Sequence, residues 1–410
     1  MKRTLMLGLI AYAVTSAPVF LAARLSGELA DCQRPRGCLE ALTRYDGMRY
    51  AEIARCGYSY RPGALSTVAF FPGYPLAARA VATVTGLSTC WSLVAVSNAA
   101  LAGAFVVMSA YARARFECQA AAGSAGEGFV DRSEVRRRCE RGTVYTLLTF
   151  GLLPTTFFCR MAYSESTFLL TALAALYAIE AEWPIFIRSA LVGAATGTRA
   201  VGLVLVLPLL LSIMRTSPDA RSLFSRLAYS APLALWGIAG FMVYQHASFG
   251  DALAFAKAQS ECRVLAPTSP GEKVASLLAA APLWGVFDPT SPGFWRRFGA
   301  TSPLLSLQFA NPIFFVLTSA LVIFGARRGW LSAYETLTSA GLLAMPYCCR
   351  GFEGCMVGQA RFAVAVFPAY LIMGRLVARL PAMAAAALAL AGAALLGLYT
   401  LLFSLNRPFY

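Results

Sequence analysis

Charge is scarce in this sequence. Asp, Glu, Lys and Arg make up only 13% of its 410 residues, where a soluble domain carries about 25%. A large water-soluble helical protein is therefore excluded as the first reading. Acid is scarcer than base, with 20 Asp and Glu against 35 Lys and Arg and a net charge of +15. In a soluble chain that excess would suggest nucleic acid. Here nucleic acid is not an expected partner, because Lys and Arg gather in the cytoplasmic loops of membrane proteins. Histidine occurs once, as His246, and the eleven cysteines form no paired Cys-x-x-Cys motifs. No metal-ligand arrangement can be read from that set, and neither a metal nor a cofactor is expected.

What is abundant is apolar residue, 58% of the chain. Uncharged stretches run over 5–23, 80–111, 142–159, 227–250, 298–326 and 380–406. A bilayer core takes roughly 20 apolar residues in helical form. The chain thus reads as one all-α, polytopic membrane bundle over 1–410, with roughly nine full spans plus a re-entrant helix pair and short external interfacial helices. The first apolar run is long for a signal core, so a retained first helix is expected. Lys2 and Arg3 place the N-terminus in the cytoplasm. A first external loop is expected over 24–87 and a second over 248–300. A basic cytoplasmic loop should lie over 112–141, holding Arg113, Arg115, Arg132, Arg136, Arg137, Arg138 and Arg141. External Cys32 and Cys38 are candidates for a disulfide, and Cys348, Cys349 and Cys355 are also placed outside.

The run 185–214 is interrupted by Arg199, with Gly193, Gly197 and Gly202 nearby. Arginines follow it, so it should enter and leave on the same side as two short helices meeting near Arg199. Broken helices at membrane depth persist only where they line a cavity or lie within protein. The densest polar block is RYDGMRYAEIARCGYSY, 44–60, followed by AFFPGYPLAAR, 69–79. Asp46, Arg49, Glu52 and Arg55 recur at helical spacing just after the first span. A carboxylate beside the membrane can serve as a general base toward a sugar hydroxyl. The same pattern also fits an amphipathic surface helix with incidental ion pairs. AFFPGYP is too short and broken to span, and suits the interface.

These blocks resemble the GPI mannosyltransferase 2 (PIG-V-like) family, in the string Y-D-x-x-x-Y-x-x-I-A-x-x-G-Y followed by A-F-F-P-G-Y-P-L. AYSESTF (162–168) and GAATGTRAVGLV (193–204) continue the resemblance in the same order. GDALAFAKAQ (250–259) and GQARFAVAVFPAY (358–370) resemble bacterial members more loosely. The resemblance implies a GT-C fold and transfer of mannose from a polyprenyl- or dolichyl-phosphate donor, with inversion, at the non-cytoplasmic face. Its aspartate falls on Asp46, as catalytic base. The sequence departs from the family pattern at Tyr45, Arg49, Ala200 and Val201, which bears on acceptor identity.

The physical chemistry is consistent with that transfer. A departing lipid phosphate is stabilised by positive charge, and Arg binds phosphate in bidentate fashion. Arg199, Arg361 and Arg49 are the candidate phosphate ligands. Glu165 either orients Arg199 and acceptor hydroxyls or sits in the first turn of a helix capped by Ser164. Tyr45, Tyr50, Phe71, Tyr74 and Tyr163 are candidates for the acceptor groove, with Gln308 and Asn311 as lesser ones. Asp31, Asp251 and Asp288 are further external carboxylates, with a turn role favoured for Asp251. His246 is given no role. The expected partners are membrane lipid, a lipid-phosphate sugar and a glycan or glycolipid acceptor, with room for an accessory membrane subunit. The membrane would be the plasma (inner) membrane of a bacterium or the endoplasmic reticulum of a eukaryote. A transferase of another sugar, such as arabinose or rhamnose, and a lipid or sugar transporter are the competing readings.

Overall fold

The computed structural model describes residues 2–29, 38–124, 132–261, 265 and 269–406, and among these every regular element is helical. The proposed Cys32–Cys38 pair and Asp31 lie outside the described residues. Among the described residues five helices are long and apolar enough to cross a membrane: Lys2–Glu28, Thr89–Ala121, Ala220–Phe249, Leu307–Arg327 and Ala382–Ser404. Ser133–Leu152 and Pro154–Arg160 together pass the same test of length and composition, with a bend of 77° between them. Pro154 cannot continue the preceding helix, and the bend is tied down by Arg160. That guanidinium is fully buried and donates to Ser16 Oγ, Thr15 Oγ1, Gly151 O and Thr156.

The remaining expected spans fall on shorter helices, Glu165–Glu180, Ala333–Pro346 and Pro368–Val377. The reason is their surroundings. A helix enclosed by protein has neighbours to satisfy its ends and need not match the bilayer. Glu165–Glu180 is such a helix: Phe168, Leu169, Ala172, Leu173, Leu176 and Ile179 are all buried in the main core. The longer helices carry the exposed apolar side chains, among them Met6, Ile10, Leu317, Met383 and Leu390. That is the surface a lipid environment would cover.

The segment around Arg199 is broken, but into three pieces rather than two. Ile185–Thr198 is followed by a 3₁₀ stretch, Ala200–Leu205, and then Val206–Thr216. Arg199 itself is extended, with φ −156°.

Within the basic segment 112–141 the described residues are helical. The preceding helix runs on to Ser124, and the next begins at Arg132. Pairs one turn apart favour that, as in Arg113–Glu117 at 2.8 Å and Arg136–Glu140 at 3.1 Å. The segments read as external do hold short helices: Asp46–Cys56 and Gly73–Thr85 in the first, Ala254–Ser260 and Pro270–Leu278 in the second.

Candidate active site

The chain turns at Tyr45, whose φ of 54° is rarely adopted by a residue with a side chain, and Asp46 opens the helix that follows. The helix is amphipathic. Gly47, Tyr50, Ala51, Ile53 and Ala54 are buried, while Arg49, Glu52 and Arg55 face outward. Arg49 pairs with Glu52 at 3.2 Å, with nearly half of each side chain exposed. Its expected place beside the phosphate ligands is thus corrected: three residues past Asp46, Arg49 falls on the outward face and does not line the cavity described below.

The three polar blocks of the first half meet. Ala162 N donates to Leu42 O at 2.8 Å, and Tyr50 Oη donates to Ser164 Oγ at 2.7 Å. This joins the Asp46 helix to the AYSES stretch. The AFFPGYP block is held against the broken helix by Gly73. A side-chain carbon there would stand 2.9 Å from Thr198 Cγ2 and 3.0 Å from Gly197 O, so only glycine permits this approach. Within AFFPGYP, Phe71 and Tyr74 are buried against protein, and Phe71 packs on Phe241 and Phe255 at 5.3 Å each.

At this junction four ionisable side chains form a chain of ion pairs. Arg361 Nη1 lies 2.6 Å from Asp46 Oδ2, and Arg361 Nε donates to Glu165 Oε1. Arg199 Nη1 reaches the same Glu165 oxygen at 2.5 Å and Ser164 Oγ at 3.3 Å. Glu165 therefore holds two guanidiniums through one oxygen. Its other oxygen, Oε2, is buried and has no hydrogen-bond partner among the described residues. Ser164 precedes the helix but makes no capping bond, because its hydroxyl is occupied by Tyr50 and Arg199. The Arg361 guanidinium lies over the Tyr163 ring, 4.5 Å from the centroid, and 5.3 Å from that of Phe158.

A cavity of about 290 Å³ opens beside this cluster. Asp46, Tyr50, Phe71, Ser164, Arg199 and Arg361 line it, and of these all but Ser164 are candidates from the sequence. Its other walls include Arg350, Cys349, Gln259 and Phe362, which sequence reasoning missed. Arg350 lies in a π-helical turn, Tyr347–Gly351. Such turns often mark functional sites, but only a structure reveals one.

Several candidates sit elsewhere. Tyr74 is fully buried and bonded to Leu93 O and Ser97 Oγ, so it supports the site's floor and does not line the groove. Tyr163 lies beneath Arg361, and Tyr45 packs on Phe403 at 5.2 Å. Gln308 and Asn311 are buried clamps: Gln308 donates to Gly293 O and Cys355 O, and Asn311 accepts from Ala360 N, beside Arg361. They do not line a groove, because their amides are taken up by backbone and by each other, Asn311 Nδ2 donating to Gln308 Oε1 at 2.9 Å. Asp251 accepts from Leu253 N as a turn residue. The Lys257 ammonium bonded to it holds its carboxyl below the usual range. Asp288 caps its own turn through Thr290. His246 lies in the last turn of Ala220–Phe249, away from the cavity. Cys348, Cys349 and Cys355 are free thiols. Among the described residues no group of three or more His, Cys, Asp or Glu gathers as a metal set.

Comparison with known proteins bears on this arrangement. The chain is 30% identical over 223 residues to the GPI alpha-1,6-mannosyltransferase 2 of Cricetulus griseus, covering 53% of this chain and 39% of that protein. It is 29% identical over 178 residues to the Homo sapiens protein of the same name, covering 42% and 32%. The matched stretches thus span well under half the length of these relatives. Among solved structures, the crystal structure of the Archaeoglobus fulgidus oligosaccharyltransferase tethered with an acceptor peptide aligns with 97% of this chain and 55% of its own. The TM-score is 0.42 and the identity 11%. The sequence model of the Mannosyltransferase (PIG-V) family matches residues 16–220, half of the chain, a stretch that holds Asp46, Glu165 and Arg199. The chain belongs to that family.

Proposed function

We propose that this protein is a membrane mannosyltransferase of GT-C type. It moves mannose from a polyprenyl- or dolichyl-phosphate donor to a hydroxyl of a glycan or glycolipid acceptor, at the non-cytoplasmic face. The observation that carries this reading is the sharing of one cavity by a carboxylate, Asp46, and three arginines, Arg199, Arg350 and Arg361. In the transfer, the acceptor oxygen attacks the anomeric carbon from the side opposite the phosphate. The new C–O bond forms as the bond to phosphate breaks, the phosphate keeps the electron pair, and configuration inverts. Asp46 takes the hydroxyl proton.

Each side chain has a place in that step. Arg361 grips Asp46 through Oδ2, which leaves the other carboxylate oxygen for the acceptor hydroxyl. The Nη2 of Arg361 has no partner among the described residues, and together with Arg199 it is available to the phosphate oxygens. Charge placed where charge develops is the effective form of such catalysis. Glu165 fixes both guanidiniums before substrate arrives, which saves reorganisation in the reaction.

The test is Asp46→Asn, which keeps shape and removes the base. Purified variant should lose roughly 10²–10⁴-fold in transfer from a lipid-phosphate mannose, while accumulating in membranes as wild type does. Undiminished transfer by the variant would overturn the assignment.

A further inference from the structure

A second basic feature lies at the opposite end of the bundle from the cavity. The Ala333–Pro346 helix brings Pro346 to the cavity wall and carries Glu335 at its other end, about 17 Å away at 1.5 Å per residue. The Pro368–Val377 helix, which follows the turn bearing Arg361, likewise leads away to Arg379. At that far end an open groove of about 720 Å³ runs between two elements. Arg141, Val144 and Tyr145 of the Arg132–Leu152 helix form one side, and Arg379, Leu380 and Pro381 the other. Arg141 donates one Nη2–H to Leu380 O at 2.8 Å, which joins the two sides, and its guanidinium lies 5.6 Å from the Tyr145 centroid. Arg379 is stacked on Trp330 at 4.8 Å. Neither arginine is paired with a carboxylate among the described residues, and no carboxylate lines the groove. The neighbouring arginines differ: Arg136 and Arg138 are each paired one turn away, with Glu140 and Glu134.

We propose that this groove binds the head group of an anionic phospholipid from the adjoining leaflet. Two features favour a lipid over a soluble anion. The arginines supply charge complementarity to a phosphate without a competing acid. The groove also adjoins the start of the Ala382–Ser404 helix, where Met383 and Leu390, seven residues apart and so on one face, are exposed. A phosphate held by Arg141 and Arg379 would lay its acyl chains along that surface. Tyr145 suits the level between head group and chain. Basic recesses between membrane helices recognise anionic lipids in this way.

The experiment uses the full chain in phosphatidylcholine bilayers doped with phosphatidylglycerol, with retained lipid read by native mass spectrometry. Wild type should hold phosphatidylglycerol in preference to phosphatidylcholine. Arg141→Gln/Arg379→Gln should lose that preference by roughly thirtyfold, and Arg379→Gln alone by roughly fivefold. Arg136→Gln/Arg138→Gln should keep it. The single variant covers the case in which the double one misfolds, because the Arg379 side chain makes no described hydrogen bond and only its backbone N–H is bonded, to Leu376 O. The proposal is overturned by an unchanged preference in Arg379→Gln or by an equal loss in the Arg136/Arg138 control. It is also overturned if glycerol phosphate displaces the lipid as readily as phosphatidylglycerol does.

Discussion

Two buried glutamates at opposite ends of the bundle invite comparison. Glu335 is fully buried, and its carboxylate is saturated. Arg115 approaches both oxygens at 2.9 Å, Tyr111 Oη donates at 2.6 Å, and Ser332 N donates at 2.6 Å in a capping box. Each oxygen has two donors. Glu165 is also buried, also beside arginine, yet both its donors use one oxygen and the other has none. Buried polar groups in proteins are nearly always satisfied. A closed, saturated carboxylate reads as a structural tie. A half-satisfied one that ties together two cavity-lining arginines reads as the anchor of a charged cluster. The same residue pair, Glu with Arg, thus serves opposite ends: one fixes helices, the other holds charge in readiness.

The largest test of that contrast is a crossed pair. Glu165→Gln should reduce transfer from a lipid-phosphate mannose by about 10²–10³-fold, since the guanidiniums of both Arg199 and Arg361 lose their anchor. Glu335→Gln should reduce stability by about 3–5 kcal/mol, because it leaves Arg115 uncompensated, with turnover per folded molecule unchanged. Thermal unfolding and initial rates, measured on both variants, decide. If Glu335→Gln slows turnover as much as Glu165→Gln does, the two ends do not differ in kind.

A smaller effect is expected from arginine-to-lysine exchange. Arg361 contacts Glu165 through Nε and Asp46 through Nη1, a bridge that an ammonium on a single stem does not reproduce. Arg361→Lys should cost roughly 10–100-fold in kcat/KM. Arg115→Lys leaves Glu335 with Tyr111 and Ser332 as donors, so the loss should be in stability alone, about 1–3 kcal/mol. A lysine at 361 with full activity would show that bridging is dispensable.

The family, the all-helical fold and the long apolar helices were legible in sequence. Asp46, Glu165 and Arg199 stand in three blocks whose order and spacing marked them, and Arg361 stood out as charge opening an apolar run. Arg350 and Gln259 gave no such signal, because their role depends on a π-helical turn and on loop packing. Arg49 was misplaced because helical spacing says which residues share a face but not which face is inward. The lengths of two expected spans were not legible either. Apolar runs over 166–182 and 362–378 fall on helices of 16 and 10 residues, and such shortening follows from enclosure, a property of neighbours.

The mildest probe removes single hydroxyls, one from each end. Tyr50 Oη donates to Ser164 Oγ, which in turn accepts from Arg199. Tyr50→Phe deletes that support two bonds away from the guanidinium, so Arg199 keeps Glu165 and shifts only slightly. Tyr111→Phe instead takes one donor from an oxygen of Glu335 that Arg115 also serves. Either loss is of the order of 1 kcal/mol, but it should be read out differently. Tyr50→Phe should lower kcat/KM roughly fivefold with little change in unfolding, since a loosened Arg199 matters most when phosphate charge develops. Tyr111→Phe should shift unfolding and leave kcat/KM alone. Equal kinetic effects from the two would mean that the hydroxyl at Ser164 steadies the helix end and not the arginine.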